Sequence, residues 1–255
     1  MKGQELAKQL LQARLSNPPS FLFSGERGIG KSTTAKVFAN SLLGSNIKTH
    51  PDRYEVLESL RIEEVRNIIS WTNQSPSISS SKVAIIHDCE SASSAAFQAL
   101  LKVIEESNNT TFILTTSDIS LLPPTIASRL INVPFLPLSR EETAEIVDDL
   151  ASLNLPPTFP NSPGLILTLK VALAKLKPHI SLLPPQNLTQ AFNTARAIHL
   201  NLHDIIIHHT FALYLAHLWY QLGYFEQAEI ANKTITKIND RNSLLVWEDI
   251  MWRSL

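Results

Sequence analysis

Short apolar runs punctuate the first half of the chain, each too compact for a helix. They are Phe21-Leu22-Phe23, Val83-Ala84-Ile85-Ile86, Phe112-Ile113-Leu114-Thr115-Thr116 and Val133-Pro134-Phe135. Runs of this kind predict buried strands, and the mixed Tyr54-Glu55-Val56-Leu57 predicts another. Between them, apolar residues recur at helical spacing. Gly3 to Leu15 carries Leu6, Leu10 and Ala13; residues 34–43 follow the first strand; Ile62 to Asn73 sets Ile62, Val65, Ile68 and Ile69 on one face. Ala95 to Glu106 repeats the pattern with Phe97, Leu100, Leu101 and Ile104, and Ile126 to Leu130 is a short helix. Asn17-Pro18-Pro19-Ser20, Gly44-Ser45-Asn46 and the loop from Ser75 to Ser81 separate these elements. Residues 1–135 thus alternate β and α, which predicts an α/β domain with a parallel sheet wound on both faces.

From Ser139 the pattern changes. Ser139-Arg140-Glu141-Glu142 is a capping box predicting a helix to Leu153. A Pro-rich loop from Pro156 to Gly164 precedes a helix from Leu165 to Lys177, and Pro178 with Pro184-Pro185 marks a second boundary. Asn187 to Leu255 carries about four helical segments and no strand. The breaks near 136 and 182 divide the chain into 1–135, 136–182 and 183–255. Phe211, Tyr214, Trp219, Tyr220, Tyr224 and Phe225 recur at helical spacing and are expected in the core, with part of the stripe open to a subunit interface. Trp247 and Trp252 are costly to leave in water and are expected on a packed or oligomeric surface.

Composition narrows the setting. The chain has 255 residues and a formal net charge of −1. A protein that grips DNA alone usually shows a basic surplus, so any nucleic-acid contact is expected to be shared with partners. The single cysteine, Cys89, allows no intramolecular disulfide and no cysteine-based zinc site, and is read as an inert buried thiol. No signal-peptide core and no membrane-length apolar run is visible, so the expected compartment is the cytoplasm, with no membrane partner.

The chemistry starts at Ser24-Gly25-Glu26-Arg27-Gly28-Ile29-Gly30-Lys31-Ser32-Thr33, which contains G-x-x-x-x-G-K-[ST] between a predicted strand and a predicted helix. Gly25, Gly28 and Gly30 let the backbone curl so that several N–H groups point at one centre. The helix N-terminus adds partial positive charge, Lys31 reaches the outer phosphates, and the Ser32 hydroxyl can sit on Mg²⁺. A nucleoside triphosphate site follows. Hydrolysis asks for more: an acid at a second strand end on the Mg²⁺ side, and a neighbour that activates water. Here Val83 to Ile86 runs into His87, followed by Asp88 and Glu90.

The glycine loop, His50-Pro51-Asp52, the helix ending Leu100-Leu101-Lys102-Val103-Ile104-Glu105-Glu106, and Thr125-Ile126-Ala127-Ser128-Arg129 together resemble the clamp-loader AAA+ ATPases. Among these the chain is most similar to the delta-prime subunits of bacterial DNA polymerase III. The motifs keep family-like order over residues 20–135; beyond them only Ser162-Pro163-Gly164 is similar to the family's lid. The resemblance implies a RecA-like P-loop domain, a small helical lid, and an all-α collar that is short here. It implies ATP and Mg²⁺ as cofactors. It also implies other clamp-loader subunits of tau/gamma and delta type in a hetero-oligomeric ring, which loads a sliding clamp onto primer-template DNA.

The resemblance assigns residues as well. Arg129 falls on the arginine finger that reaches into a neighbour's ATP site, Thr116 near the γ-phosphate sensor, His87 where an active ATPase has its Mg²⁺-binding Asp, and Asp88 where it has its Glu. Hard cations prefer oxygen, so His87 is a poor Mg²⁺ ligand and is read as a core histidine at a strand end. Leu165 and its neighbours offer no lid arginine, and the family's zinc module is missing. Lys102, Glu105 and Glu106 are read as a solvated helix face. His199, His203, His208, His209 and His217 are not read as a metal cluster, because one pair alone has i,i+4 spacing. The expected role is a delta-prime-like subunit that binds ATP through Gly25, Gly28, Gly30, Lys31, Ser32, Thr33 and Thr116, hydrolyses it weakly or not at all, and supplies Arg129 in trans. Two alternatives stay open: a self-sufficient ATPase with Asp88 as its acid, and a non-enzymatic scaffold with a relic P-loop.

Overall fold

The computed structural model describes residues 2–16, 18–45, 47, 49–57, 60–181, 183–239 and 242–255. Asn17 and Asn46 of the expected stops, and the boundary at position 182, lie outside the described residues. The chain forms two compact units, Met1–Leu138 and Ser139–Leu255.

The first unit is a five-stranded parallel sheet: β1 (Phe21–Ser24), β2 (Arg53–Val56), β3 (Lys82–Ile86), β4 (Thr110–Thr116) and β5 (Ile131–Pro134), in spatial order β2-β3-β4-β1-β5. The helices of this unit are α1 (Glu5–Gln12), α2 (Lys31–Leu43), α3 (Ile62–Thr72), α4 (Ser94–Glu106) and α5 (Pro124–Ala127). Phe21, Leu22 and Phe23 of β1 and Val83 to Ile86 of β3 are fully buried, as continuous apolar runs in a covered parallel sheet should be. The edge strands β2 and β5 are only half covered. Because β1 lies between β4 and β5, the chain leaves β1 in one direction and returns past it from β4 in the other. Ligands in open α/β sheets bind outside the carboxyl ends of the strands at such a switch point. The N-terminal helix buries Ala7 and Leu11 rather than the predicted Leu6 face; Leu6 is exposed.

The N-terminal edge of the sheet is fixed by buried charge. The Asp52 carboxylate accepts backbone N–H bonds from Ser77 at 2.6 Å and from Ile78 and Ser79 at 2.8 Å each. Burial opposes its charge, but these bonds prevail and hold its pKa below the ordinary carboxylate value. The serine-rich loop is therefore clamped. Beside it, buried Lys82 donates to the carbonyls of Trp71 and Gln74, with its ammonium 4.6 Å from the Trp71 ring centroid.

The second unit is helical: α6 (Arg140–Ala144), α7 (Pro163–Ile180), α8 (Leu188–Asn201), α9 (Ile205–Gln221), α10 (Phe225–Ile235) and α11 (Ser243–Arg253). The Ser139 capping box is present. The predicted helix to Leu153 is not: α6 stops at Ala144, and Asp149 and Asn154 adopt left-handed backbone around a 3-10 turn. Asp and Asn tolerate that conformation at low cost, which helical periodicity does not register. Pro178 is no boundary, since α7 continues through it to Ile180; in the last turn a proline forfeits a single helical bond. One core runs from Val147 through Leu176, Phe211, Trp219 and Trp247 to Met251. The aromatic stripe divides: Phe211 and Trp219 are buried, while Tyr220, Tyr224 and Phe225 are exposed. Trp252 is exposed too, with 57% of its surface in solvent, whereas Trp247 is buried.

Candidate functional site

The glycine loop connects the carboxyl end of β1 to the N-terminus of α2, and its three glycines all have positive φ: Gly25 144°, Gly28 75° and Gly30 105°. At Gly25 the need is also steric, because a Cβ there would stand 2.3 Å from the Phe135 carbonyl oxygen. Gly30 is the N-cap of α2, whose first turn contains no acidic residue, so the partial positive charge of the helix end is uncompensated. Ser32 and Thr33 are exposed on that first turn. Lys31 is buried and folded back on the loop, donating to the Gly25 carbonyl at 2.6 Å and the Glu26 carbonyl at 2.7 Å. Burial lowers its pKa against the raising influence of Asp88 and Glu90.

Thr116 closes β4 directly beside the loop, in register with Ser24. Its hydroxyl donates to the Asp118 carbonyl at 3.0 Å and accepts the Asp118 N–H at 3.2 Å. Asp88 has left-handed backbone with φ 45°, and its N–H donates to Thr115 Oγ1 at 3.1 Å. Both Asp88 and Glu90 act electrostatically on Lys31, so the loop, Thr116 and Asp88 converge on one region.

Sequence reasoning missed three side chains here. Glu90 Oε1 accepts the Ser117 N–H at 3.0 Å and the Ser117 hydroxyl, while its Oε2 is buried without a hydrogen-bond partner among the described residues. The other two surround His87. Its Nε2 stands 2.9 Å from Glu55 Oε1, and that same oxygen is 2.7 Å from Lys36 Nζ. His87 is 5% exposed, and its Nδ1 has no partner among the described residues. The Glu55 carboxylate loses stability by burial but gains more from the Lys36 and His87 bonds, so its pKa lies below the ordinary value. Alternation along β2 sets Glu55 with Arg53 on the face opposite the core residues Tyr54 and Val56, and nothing local joins it to His87 or Lys36. Cys89 is buried, and burial pushes its thiol pKa up, as an inert thiol requires.

Arg129 is not brought to this region. It lies two residues before β5, whose first residue, Ile131, pairs with Phe21 at the opposite end of β1 from the glycine loop. Four strand residues, about 10 Å of backbone, separate the two levels. The Arg129 Nε donates to Glu105, and its guanidinium donates to Ser128 Oγ at 3.2 Å. Glu105 is thus more than a solvated face: it ties the Leu-Leu-Lys helix to the Ser-Arg segment. Arg129 borders an open cavity of ≈ 460 Å³ whose other walls include Asn108, Asn109 and Thr110.

In the helical unit, His208 Nδ1 accepts the Trp247 indole N–H at 2.8 Å, and His199 Nδ1 meets Ser243 Oγ at 2.8 Å. The first is buried in the core and the second is part-buried. No helix among the described residues is long and apolar enough to cross a membrane.

Comparison with known proteins adds the following. Residues 2–139 match the family model described as DNA polymerase III, delta subunit. The DNA polymerase III subunit gamma of Buchnera aphidicola subsp. Acyrthosiphon pisum is 34% identical over 143 residues, covering 48% of this chain and 40% of the relative. The subunit tau of Bacillus subtilis is 34% identical over 152 residues, covering 50% of this chain and 27% of the relative. The chain therefore spans well under two thirds of the length of these curated relatives. A crystal structure of a DNA polymerase III gamma subunit-related protein from Thermotoga maritima superposes with a TM-score of 0.63 at 17% identity, over 98% of this chain and 100% of that one, a likeness of fold.

Proposed function

The chain belongs to the DNA polymerase III delta-subunit family, and on that premise we propose that it is a delta-prime-like subunit of a clamp loader, acting in the cytoplasm. It binds ATP through Gly25, Gly28, Gly30, Lys31, Ser32, Thr33 and Thr116, with Ser32 as the residue to meet a nucleotide-borne Mg²⁺. It turns that ATP over weakly or not at all. Its catalytic contribution is made by Arg129 in the ATP site of a neighbouring subunit, where the guanidinium stabilises charge on the transferring γ-phosphoryl group. The partners are tau/gamma-type and delta-type subunits in a ring, with the sliding clamp and primer-template DNA engaged through the complex. The helical unit, with one core running from α7 to α11, takes the place of lid and collar.

The observation that carries this reading is a separation. The phosphate loop and Arg129 stand at opposite ends of β1, so the one cannot serve the other within a single chain. The strand end that should supply a metal-side acid instead supplies His87, already bonded to Glu55. Copurification with tau/gamma-type and delta-type subunits tests the assignment: the expected result is one co-eluting complex, and a chain that elutes alone in their presence overturns it. A second reading, a self-sufficient ATPase, is favoured by the place of Asp88, whose N–H bonds Thr115 Oγ1 at the β4 end beside the loop. An isolated chain that turns over ATP at rates of about 1 s⁻¹ or more and loses this on Asp88→Asn supports that reading over the first.

A further inference from the structure

The side chains around His87 form a closed charge cluster. Lys36 and His87 both meet Glu55 Oε1, at 2.7 and 2.9 Å. Lys36 stands four residues beyond Ser32 on α2, so the two side chains leave one face of the helix, and the cluster lies one turn from the hydroxyl that faces the metal side. A hard dication beside phosphates is held by surplus negative oxygen. Here the Glu55 carboxylate is already matched by an ammonium, and the group at the strand end is an imidazole.

Two other acids are close by. Glu90 spends one oxygen on Ser117 and keeps the other buried without a partner among the described residues, and both Glu90 and Asp88 face the Lys31 ammonium rather than the Lys36–Glu55–His87 cluster. Phosphate charge can be met by groups of the chain itself: the loop amides, the α2 N-terminus with no acid in its first turn, and Lys31. A Mg²⁺ carried by the nucleotide and met by Ser32 then adds little to affinity, because the strand end presents an imidazole and a lysine stands one turn away.

We infer that the P-loop of this chain holds nucleotide with an affinity independent of Mg²⁺, the Lys36–Glu55–His87 cluster standing where other P-loop sites present a metal-holding carboxylate. The inference rests on the reading of the loop as a nucleotide site, and the test separates the two. The full chain is titrated calorimetrically with ADP, once in excess MgCl₂ and once in EDTA. The expected dissociation constants agree within about threefold. An affinity that falls about tenfold or more in EDTA overturns the inference and leaves the nucleotide site standing. Absence of binding in both buffers overturns the nucleotide reading itself, and the inference with it. The wild-type comparison needs no substitution, so it is decisive whatever the folding of variants. A His87→Asp chain adds a second arm: it restores an oxygen ligand, and ADP is expected to bind about tenfold or more tighter with Mg²⁺ than in EDTA. A folded His87→Asp chain with no such difference counts against position 87 as the metal side.

Discussion

The two ends of the parallel sheet are built by different means. The carboxyl end is made of backbone: three glycines with positive φ, a helix N-terminus without a compensating acid, and a lysine bonded to carbonyls of its own loop. Lys31 can exchange its carbonyl partners for phosphate oxygens, and a helix N-terminus is suited to the same ligand. The amino end is made of buried side-chain charge: Asp52 gripping three amides and Lys82 gripping two carbonyls. That end is already satisfied and needs no ligand to hold its shape. Arg129 lies at the same amino end but before β5, at the other edge of the sheet from Asp52 and Lys82, with its side chain 46% exposed. The contrast suits the proposed subunit, which would receive nucleotide at one end and offer Arg129 to a neighbour at the other.

Breaking the fixed end should cost most. Asp52→Ala removes the carboxylate that three part-buried loop amides bond and leaves Lys82 without its acidic neighbour; the expected loss is about 3 kcal/mol in urea denaturation. A loss below about 1 kcal/mol would mean that this edge is not held by charge. At the other end, Gly25→Ala sets a Cβ against the Phe135 carbonyl at a φ of 144°. It is expected to cost about 1–3 kcal/mol and to weaken ADP binding by displacing the loop, measured by melting and by titration.

The helical unit provides a pH contrast. Burial, with a smaller contribution from the nearby His199, lowers the His208 pKa from 6.5 to about 4; in the neutral ring Nδ1 accepts the Trp247 N–H. The unfolded chain therefore takes up this proton first as pH falls. His208 stability is full above about pH 6.5 and is lost progressively from there down to about pH 4. Asp52 adds a later loss, since its depressed pKa gives stability that is present above the ordinary carboxylate value and disappears below it. Thermal melts between pH 7 and 4.5 should fall for the wild type, and His208→Phe should flatten that slope. The smallest effect is expected at Glu105. Glu105 and Arg129 are both largely exposed, so Glu105→Gln should change stability by less than about 1 kcal/mol. A larger change would make Arg129 a structural residue rather than a mounted finger.

The sequence shows some of this plainly and hides the rest for physical reasons. The strand, loop and helix around Gly25 to Lys31 are contiguous, and their geometry follows from glycine and helix-end chemistry within one short segment. The buried strands announce themselves as unbroken apolar runs. The break between α6 and Leu153 is invisible to periodicity, because left-handed Asp149 and Asn154 bound a separate 3-10 turn there. Tyr220, Tyr224 and Phe225 share the spacing of core residues but lie on the face that their unit leaves exposed. The charge cluster is hidden most deeply: Lys36, Glu55 and His87 come from a helix, a strand and the residue just past β3, and only the register of β2 on β3 brings them to one oxygen. Arg129 and Glu105, 24 residues apart, are joined in the same non-local way.

The central claim is that this chain's catalytic group works in another subunit's site. Single-turnover ATP hydrolysis in the assembled complex, with Arg129→Ala introduced in this chain alone, tests it most directly. The account predicts a loss of about 10³-fold at the neighbouring site, with assembly and ADP binding by this chain intact. An unchanged rate in a fully assembled complex would contradict it.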